Sequence, residues 1–455
     1  MQKSYFFNFK KALVIGAVYM GVAASAQQWQ NVGPAAVVST GNSSYNNLAV
    51  DTSGNYYISY YDVAAGKGSV QKFNGSSWSY VGGSPGITTG LATYNALTLD
   101  ALGNIYYSNQ ASYPATGMDV RKFSSGSWTL LIQPTASTVN FQAMAVSSNN
   151  TLFAYSSDGL GTVRRYNNGA WEQVGNAGFA GGATFAEMVI GSDNNIYTVQ
   201  FASGGIKVYK INTNATSSDS WTQVGSDVGT AYATDNSYCD IALDSNNIPY
   251  VVYISSAAEG RKLNVKKFNG TSWVQIGAAN FTDAITNNAA IAVSPGGAPY
   301  VIAGIWDFSN ANHGKNSVYR FNTATANWEK LGDPFISTAT STYNDIAFDA
   351  VNNSLVITYS ESGMRVKRMS LNSLAVNDIK AKDTFGAYPN PTEGIVYLKD
   401  ERKIRTVEVS NTIGQIIAAR ISGTQVDISD APKGVYFVKA NYENGTASVR
   451  KIIKK

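Results

Sequence analysis

The sequence has very few of the residues that bind metals or form disulfide bonds. Among its 455 residues it contains one cysteine, Cys239, and one histidine, His313. A single cysteine cannot form an internal disulfide, so an apolar core must hold the fold together. Zinc sites need several His or Cys ligands, and the turn at residues 51–55 lacks the spaced carboxylates of a calcium loop. We therefore expect no metal site and no cofactor; the alternative is a metal bound through oxygen ligands.

Charged residues are also scarce. Only 14% of the residues are charged, and the formal net charge is +4. Residues 1–26 carry +3 and residues 374–455 carry +4, which leaves −3 on residues 27–373. A nucleic-acid-binding surface needs a basic patch that releases counterions from the phosphates. The sequence therefore predicts no nucleic-acid partner.

Long apolar runs are absent after the N-terminus. Three lysines precede an apolar run at residues 12–23, which is followed by Ala24, Ser25 and Ala26. A basic start, a short apolar run and a small-residue cleavage site are typical of a secretory signal peptide. No other stretch approaches the roughly 20 apolar residues of a transmembrane helix. We predict a signal peptide at residues 1–26 and no transmembrane segment.

The sequence does contain a repeat. A Trp-x-x-aliphatic-Gly element recurs, and Trp128 begins a variant that lacks the glycine. The complete elements begin at Trp29, Trp78, Trp171, Trp221, Trp273 and Trp328. Successive tryptophans are 43 to 55 residues apart, a period typical of propeller blades. Between them lie three further β-rich segments bounded by turn residues, so each repeat contains the four strands of a blade.

The two ends of the repeat array are incomplete in complementary ways. The array starts with an isolated fourth element at Trp29, and its last unit stops after a third element that ends at Met369. Pairing these two elements would close a ring and remove the exposed edge strands. The sequence therefore predicts an all-β fold with a seven-bladed β-propeller over residues 27–373, closed by the N-terminal strand. An open solenoid is the alternative.

Candidate binding residues recur at the start of the first strand of each repeat. Six of the seven equivalent positions are aromatic, and acids follow two positions later in three repeats. The candidate ligand-binding residues are Tyr45, Tyr94, Phe141, Phe185, Glu187, Tyr238, Asp240, Tyr343 and Asp345. Aromatic rings beside polar groups can stack on sugars and hydrogen-bond to their edges. The alternative is that the aromatic residues pack identically between blades as part of the shared core.

Catalysis has little support in the sequence. Cys239 and His313 form the one nucleophile and base pair available, and we expect a buried cysteine and a solvated loop histidine instead. Asp240 and Asp345 could act as a carboxylate pair on a glycoside, but the sequence does not fix their separation. We therefore predict no catalytic residue.

A basic residue recurs in the third strand of all seven repeats, beginning with Lys72 and Lys122. We expect these side chains to lay their aliphatic stems over apolar surface, where a neighbouring tryptophan is one candidate, and to keep their charges in water. A ring of such residues could instead form an anion site.

The pattern changes after Met369. Residues 374–384 are typical of a linker, and residues 385–455 contain Pro389-Asn390-Pro391, a Gly-Val-Tyr-Phe strand that starts at Gly434, and a basic end. This combination resembles the type A C-terminal sorting domain of the type IX secretion system of Bacteroidota. The resemblance implies a small β-sandwich that engages the type IX secretion machinery. From the residues alone, a carbohydrate-binding or immunoglobulin-like domain is the alternative.

The repeat region is similar to uncharacterised exported propellers that carry such tails. We therefore expect a protein that passes through the periplasm and is secreted or held on the outer cell surface. Its propeller is expected to bind a glycan or a surface protein. An extracellular polysaccharide hydrolase or lyase, and a purely structural adhesin, are the alternatives.

Overall fold

The structure is a computed structural model that describes residues 28–111, 116–202, 204–231, 239–371, 385–400, 402–412, 415–443 and 447–455. These residues form almost only antiparallel β-sheets, with two short 3-10 turns, Asp158–Leu160 and Ala257–Glu259. The chain divides into two compact units at residue 373. The predicted signal peptide and linker, at residues 1–26 and 374–384, lie outside the described residues. Within the described ranges, no helix has the length and apolar character needed to cross a lipid bilayer.

The first unit begins with the short strand β1 (Gln30–Asn31), which is followed by a series of sheets. Sheet 1 contains β2 (Ser43–Val50), β3 (Tyr56–Asp62), β4 (Lys67–Phe73) and β5 (Trp78–Tyr80). Sheet 2 contains β6 (Ala96–Leu99), β7 (Ile105–Gln110), β8 (Met118–Ser124) and β9 (Ser127–Leu130). Sheet 3 contains β10 (Gln142–Val146), β11 (Leu152–Ser156), β12 (Thr162–Asn167) and β13 (Ala170–Val174).

The next sheets continue the same order. Sheet 4 contains β14 (Phe185–Ile190), β15 (Asn195–Ala202), β16 (Gly205–Asn212), β17 (Thr222–Gln223) and β18 (Gly229–Thr230). Sheet 5 contains β19 (Cys239–Leu243), β20 (Pro249–Ile254), β21 (Leu263–Phe268) and β22 (Trp273–Gln275). Sheet 6 contains β23 (Thr286–Val293), β24 (Pro299–Ile305), β25 (Asn316–Asn322) and β26 (Asn327–Lys330).

Sheet 7 combines strands from the two ends of the first unit. It contains β27 (Thr342–Asp349), β28 (Ser354–Ser360) and β29 (Met364–Ser370), with β1 as its fourth strand. In the pairing of β1 with β29, Gln30 lies opposite Arg368 and Asn31 lies opposite Lys367. The prediction of an all-β fold built from four-stranded antiparallel sheets is confirmed.

The second strand of each sheet in the first unit is buried along nearly its whole length, for example in β7, β20 and β28. A strand that is covered on both faces is expected to carry apolar residues at successive positions rather than alternating with polar ones. This burial explains the runs of Val, Ile and Tyr, such as Val251 and Val252 in β20, which are both fully buried. The core therefore lies between neighbouring sheets.

The tryptophan of the repeat joins most sheets of the first unit to the preceding sheet. The indole N–H of Trp78 donates to the backbone oxygen of Val32 at 2.8 Å. The same bond joins Trp128 to Val81, Trp171 to Ile132, Trp273 to Val224, and Trp328 to Ile276. Gly33 has a φ of +90°, and a Cβ there would lie 3.3 Å from the Trp78 ring. The glycine therefore lets the next tryptophan approach the backbone closely.

Two contacts relate the last sheets to the first strands. The indole N–H of Trp29 donates to the backbone oxygen of Leu331 at 2.9 Å, which is the bond that the other elements make. A carboxylate oxygen of Asp345 in β27 accepts the N–H of Leu48 in β2 at 2.7 Å. The first strands of consecutive sheets contact one another, and β27 contacts β2.

Three of the recurring basic residues of the third strands, Lys72, Lys122 and Lys267, lie over tyrosine rings of the second strands. The Lys72 ammonium lies 5.0 Å from the centre of the Tyr57 ring, and Lys267 lies 5.1 Å from that of Tyr250. Each lysine is the direct cross-strand partner of its tyrosine. The rings that support these lysines are therefore tyrosines of the adjacent strand rather than tryptophans.

The second unit contains two antiparallel sheets. One contains β30 (Gly386–Tyr388), β31 (Ile395–Lys399), β33 (Arg420–Ser422) and β34 (Gln425–Asp427). The other contains β32 (Ile404–Asn411), β35 (Gly434–Tyr442) and β36 (Ala447–Lys454). Buried residues of both sheets, including Val396 and Val438, share one core. The Asn390 side chain bonds to the backbone of Lys451 and Ile453 in β36, which anchors the Pro-Asn-Pro segment.

Candidate functional site

The starts of the first strands in the first unit surround a cavity of about 680 Å³. Eight of the nine candidate residues line it, and these are Tyr45, Tyr94, Phe141, Phe185, Glu187, Asp240, Tyr343 and Asp345. The ninth, Tyr238, lies outside the described residues. The sequence repeat therefore brings residues that are far apart in the chain to one place.

Local backbone irregularity sets the directions of these side chains. The pairing of β2 with β3 shifts register between Ser44 and Asn47, and β27 shifts likewise between Thr342 and Asp345. Such bulges turn side chains out of the regular strand alternation. Tyr45 and Tyr343, which lie in these bulges, have φ values of +55° and +53°. Bulky residues rarely adopt a positive φ, and such strain is concentrated at functional sites.

The aromatic residues form a continuous arc along one side of the cavity. Tyr45 packs against Tyr94 and Tyr343, with ring centres 4.9 Å and 5.0 Å apart. Tyr94 contacts Phe141 at 5.5 Å, and Phe141 contacts Phe185 at 6.4 Å. Tyr94 is 42% exposed. We call these five residues the aromatic arc, and it presents ring surface to any molecule that enters the cavity.

Three carboxyl groups lie deeper in the cavity. Glu187 follows Phe185 by two residues in β14, so its side chain is on the same face and about 7 Å further along the strand. Asp240 and Asp345 occupy the equivalent positions in β19 and β27. Each is enclosed by protein while part of its surface remains open to the cavity. No lysine, arginine or histidine is among the described residues that line the cavity.

The two aspartates are bound to backbone amides through both carboxylate oxygens. Asp240 accepts the N–H groups of Ile241 at 2.7 Å and Ile291 at 2.8 Å. Asp345 accepts those of Ile346 and Leu48, both at 2.7 Å. Burial raises the pKa of Asp240 to about 6 and, together with the negative charge of Asp240, raises the pKa of Asp345 to about 7. These aspartates tie adjacent first strands together.

Glu187 differs from the aspartates because it makes no hydrogen bond within the described part of the chain. Burial raises its pKa well above the usual value, and the nearby charges of Asp240 and Asp345 raise it further. Its carboxyl group is therefore the acid in the cavity that is available to a ligand.

Several buried amides in the cavity wall have no partner among the described residues. Both polar atoms of the Asn46 side chain, the amide nitrogen of Asn95 and the amide oxygen of Gln142 are unpaired. Each of these three residues is 7% exposed. A buried polar group without a hydrogen bond costs about 1–3 kcal/mol, so such groups favour a polar ligand or water. The amides directly follow the repeated aromatic positions, and that spacing is the sequence signal that could have identified them.

The cysteine and histidine do not form a pair. Cys239 is buried and lines the cavity. Burial raises the pKa of its thiol well above the usual value. His313 is not among the lining residues and stacks on Phe308, with ring centres 4.2 Å apart. In the described ranges, no cluster of three His, Cys, Asp or Glu residues could hold a metal ion.

Comparison with solved structures finds distant likenesses. An ulvan lyase, which is a polysaccharide lyase, has a TM-score of 0.47 and 10% identity over 76% of this chain and 94% of its own. A protein of unknown function from Dyadobacter fermentans has a TM-score of 0.43 and 10% identity over 75% of this chain and 99% of its own. AofleA from Arthrobotrys oligospora has a TM-score of 0.43 and 12% identity over 69% of this chain and 91% of its own. These scores and identities are too low to carry those proteins' ligands over to this chain.

The C-terminal unit has a specific match. A search of curated proteins finds no match to this chain. Residues 386–455, in contrast, match the family described as the secretion system C-terminal sorting domain. The match supports the resemblance to type IX sorting domains and implies interaction with that secretion machinery. The chain therefore carries a C-terminal sorting domain and is an exported protein, secreted or placed at the cell surface.

Proposed function

We propose that residues 27–373 form a seven-bladed propeller closed by the N-terminal strand, that residues 374–384 are a linker, and that the propeller binds a glycan in its central cavity. Closure is supported by the pairing of β1 with β29 and by the bond from Trp29 to Leu331. In the other sheets, the fourth strand and its tryptophan follow the third strand along the chain. In sheet 7 they come instead from the start of the first unit. The exported protein would reach its location through the periplasm.

The observation that carries the binding proposal is the pairing of the aromatic arc with unpaired amides in one cavity of about 680 Å³. Sugars have apolar faces that stack on aromatic rings and hydroxyl groups that need both donors and acceptors. The Asn46 amide offers one of each, and Gln142 adds an acceptor. A cavity of this volume is within the range of small-molecule sites.

The arrangement favours binding over glycoside hydrolysis. Most glycoside hydrolases need two carboxyl groups, one on each side of the glycosidic bond that breaks. Asp240 and Asp345 already use both oxygens to accept backbone N–H groups. Among the described residues, Glu187 is the one of these three acids that makes no hydrogen bond, and one carboxyl group does not make such a pair.

A glycan array tests the proposal. The exported protein should bind a subset of glycans, and Tyr94→Ser should lose that binding because the most exposed ring of the arc is removed. Phe308→Ser is the matched control, since Phe308 is 80% exposed and is not among the residues that line the cavity. Reducing ends are measured on the same panel. Glycan cleavage, or equal binding by Tyr94→Ser and the unaltered protein, would contradict the proposal.

A further inference from the structure

The ionisable side chains among the described residues that line the cavity include acids and no bases. Glu187, Asp240 and Asp345 are close enough for each to affect another's ionisation, and no basic side chain is among the described lining residues. Carboxyl groups that are buried together without a counter-ion stay protonated or require a cation. In the described part of the chain, backbone N–H groups bond to the two aspartates and not to Glu187. A positive charge is therefore the component that the cavity lacks.

Two further features of the same cavity suit a cation. The aromatic arc presents ring faces, which attract ammonium groups electrostatically. The side-chain oxygens of Asn46 and Gln142 are unpaired acceptors in residues that are 7% exposed. An ammonium group has three donors and no acceptor. The unpaired amide oxygens and the carboxyl group of Glu187 can accept hydrogen bonds from an ammonium group, and the ring faces of the aromatic arc can attract its charge.

We propose that the cavity recognises a protonated amino group on its ligand, and that the ligand is a saccharide containing an amino sugar with a free amine. This inference rests on the proposed glycan-binding function and specifies its ligand class. The ammonium group lies against Glu187, the sugar ring stacks on the aromatic arc, and the unpaired amide atoms of Asn46 and Gln142 hydrogen-bond to other polar groups of the saccharide. Uronic acids and sulfated sugars bring no positive charge to these carboxyl groups.

Recognition of this kind depends on pH. The titratable groups that line the cavity are Tyr45, Tyr94, Glu187, Cys239, Asp240, Tyr343 and Asp345. A bound ammonium group favours the ionised carboxylates, so binding releases protons where these acids are protonated in the free protein. The pKa values of Asp240 and Asp345 are raised to about 6 and about 7. Affinity is therefore expected to fall as pH decreases through this range.

Titration calorimetry with two matched tetrasaccharides tests the inference. One is the β-1,4-linked tetramer of glucosamine, and the other is its fully N-acetylated form, which has the same backbone and no charge. The glucosamine tetramer should bind more tightly, and Glu187→Gln should weaken its binding roughly tenfold to a hundredfold, the effect of losing one charged hydrogen bond. Asp283→Asn is the control, since the Asp283 side chain is 90% exposed and does not line the cavity.

The outcomes separate the inference from the function on which it rests. If both tetramers bind equally, or if only glycans without amines bind on the array, the ligand class is wrong and glycan binding stands. If no glycan binds in either experiment, both proposals are wrong. An unchanged affinity of folded Glu187→Gln for the glucosamine tetramer also overturns the assignment. A melting temperature measured for each variant shows whether it is folded.

Discussion

In the first unit, the fourth strands of the sheets (the outer strands) and the first strands (the inner strands) belong to the same sequence repeat. The contacts of the outer strands recur from sheet to sheet, whereas the residues at the starts of the inner strands vary. At the outer strands, the bond from a tryptophan indole to the preceding sheet recurs from Trp29 to Trp328. Trp221 is the exception, because its indole N–H has no partner among the described residues. At the starts of the inner strands, acids occur in three repeats and amides in others. The regular contacts belong to the scaffold, and the residues that differ between repeats line the cavity that we propose as the binding site.

The largest expected effect on stability comes from Trp29 in the outer strands, beside the pairing of β1 with β29. Trp29→Ala removes a buried indole and its bond to Leu331, so we expect a loss of about 3–5 kcal/mol in stability. Trp306→Ala is the control, since Trp306 lies on a loop outside the repeated element. Calorimetric melting should show a much larger decrease for Trp29→Ala. Equal decreases would show that the Trp29 contact does not secure the first unit.

A smaller loss is expected from the glycine of the repeated element. A Cβ at Gly175 would lie 2.4 Å from the Trp221 ring nitrogen, whereas one at Gly75 would have no atom within 4 Å. Both glycines have a positive φ, +69° at Gly175 and +92° at Gly75, so both alanine variants carry backbone strain and Gly75 is not the less strained of the two. Gly175→Ala should cost about 1–3 kcal/mol more than Gly75→Ala because of the steric conflict. Similar melting temperatures would exclude close packing as the reason for the glycine.

Replacing Glu187 at the inner strands should raise stability, whereas the two preceding changes lower it. The pKa of Glu187 is raised in the fold, so the folded state holds its proton more tightly than the unfolded state. Stability from this group is greatest below its ordinary pKa of 4.5 and is lost as pH rises above it. Glu187→Gln removes that loss, so the variant should melt higher than the unaltered protein at pH 8 and show little difference at pH 4. A pH-independent difference would contradict the assigned burial.

The contacts of the outer strands could largely be predicted from the sequence, and the arrangement at the starts of the inner strands only in part. The tryptophan period identified the four-stranded sheets because it recurs along the chain. The Pro-Asn-Pro segment, the Gly-Val-Tyr-Phe strand and the basic end identified the sorting domain because their combination resembles a known family. The acceptor of each indole bond could not be predicted, since it lies in the preceding sheet. The bulges at Tyr45 and Tyr343, and the use of Asp345 to bind the Leu48 amide, depend on contacts between sheets that no single strand specifies.

Tyr94→Ser should have the smallest effect on stability. Its ring is 42% exposed, so we expect a loss of about 1 kcal/mol or less. The same change removes stacking surface from the cavity. This variant therefore separates binding from folding more cleanly than any change to the outer strands.

The most direct measurement is the affinity of folded Tyr94→Ser for the glycan that the unaltered protein binds best, determined by titration calorimetry. We expect a melting temperature close to that of the unaltered protein and a loss of binding of roughly tenfold or more, as is typical of an aromatic group that contacts the ligand. Unchanged affinity in this variant would contradict the assignment of the aromatic arc as the binding surface.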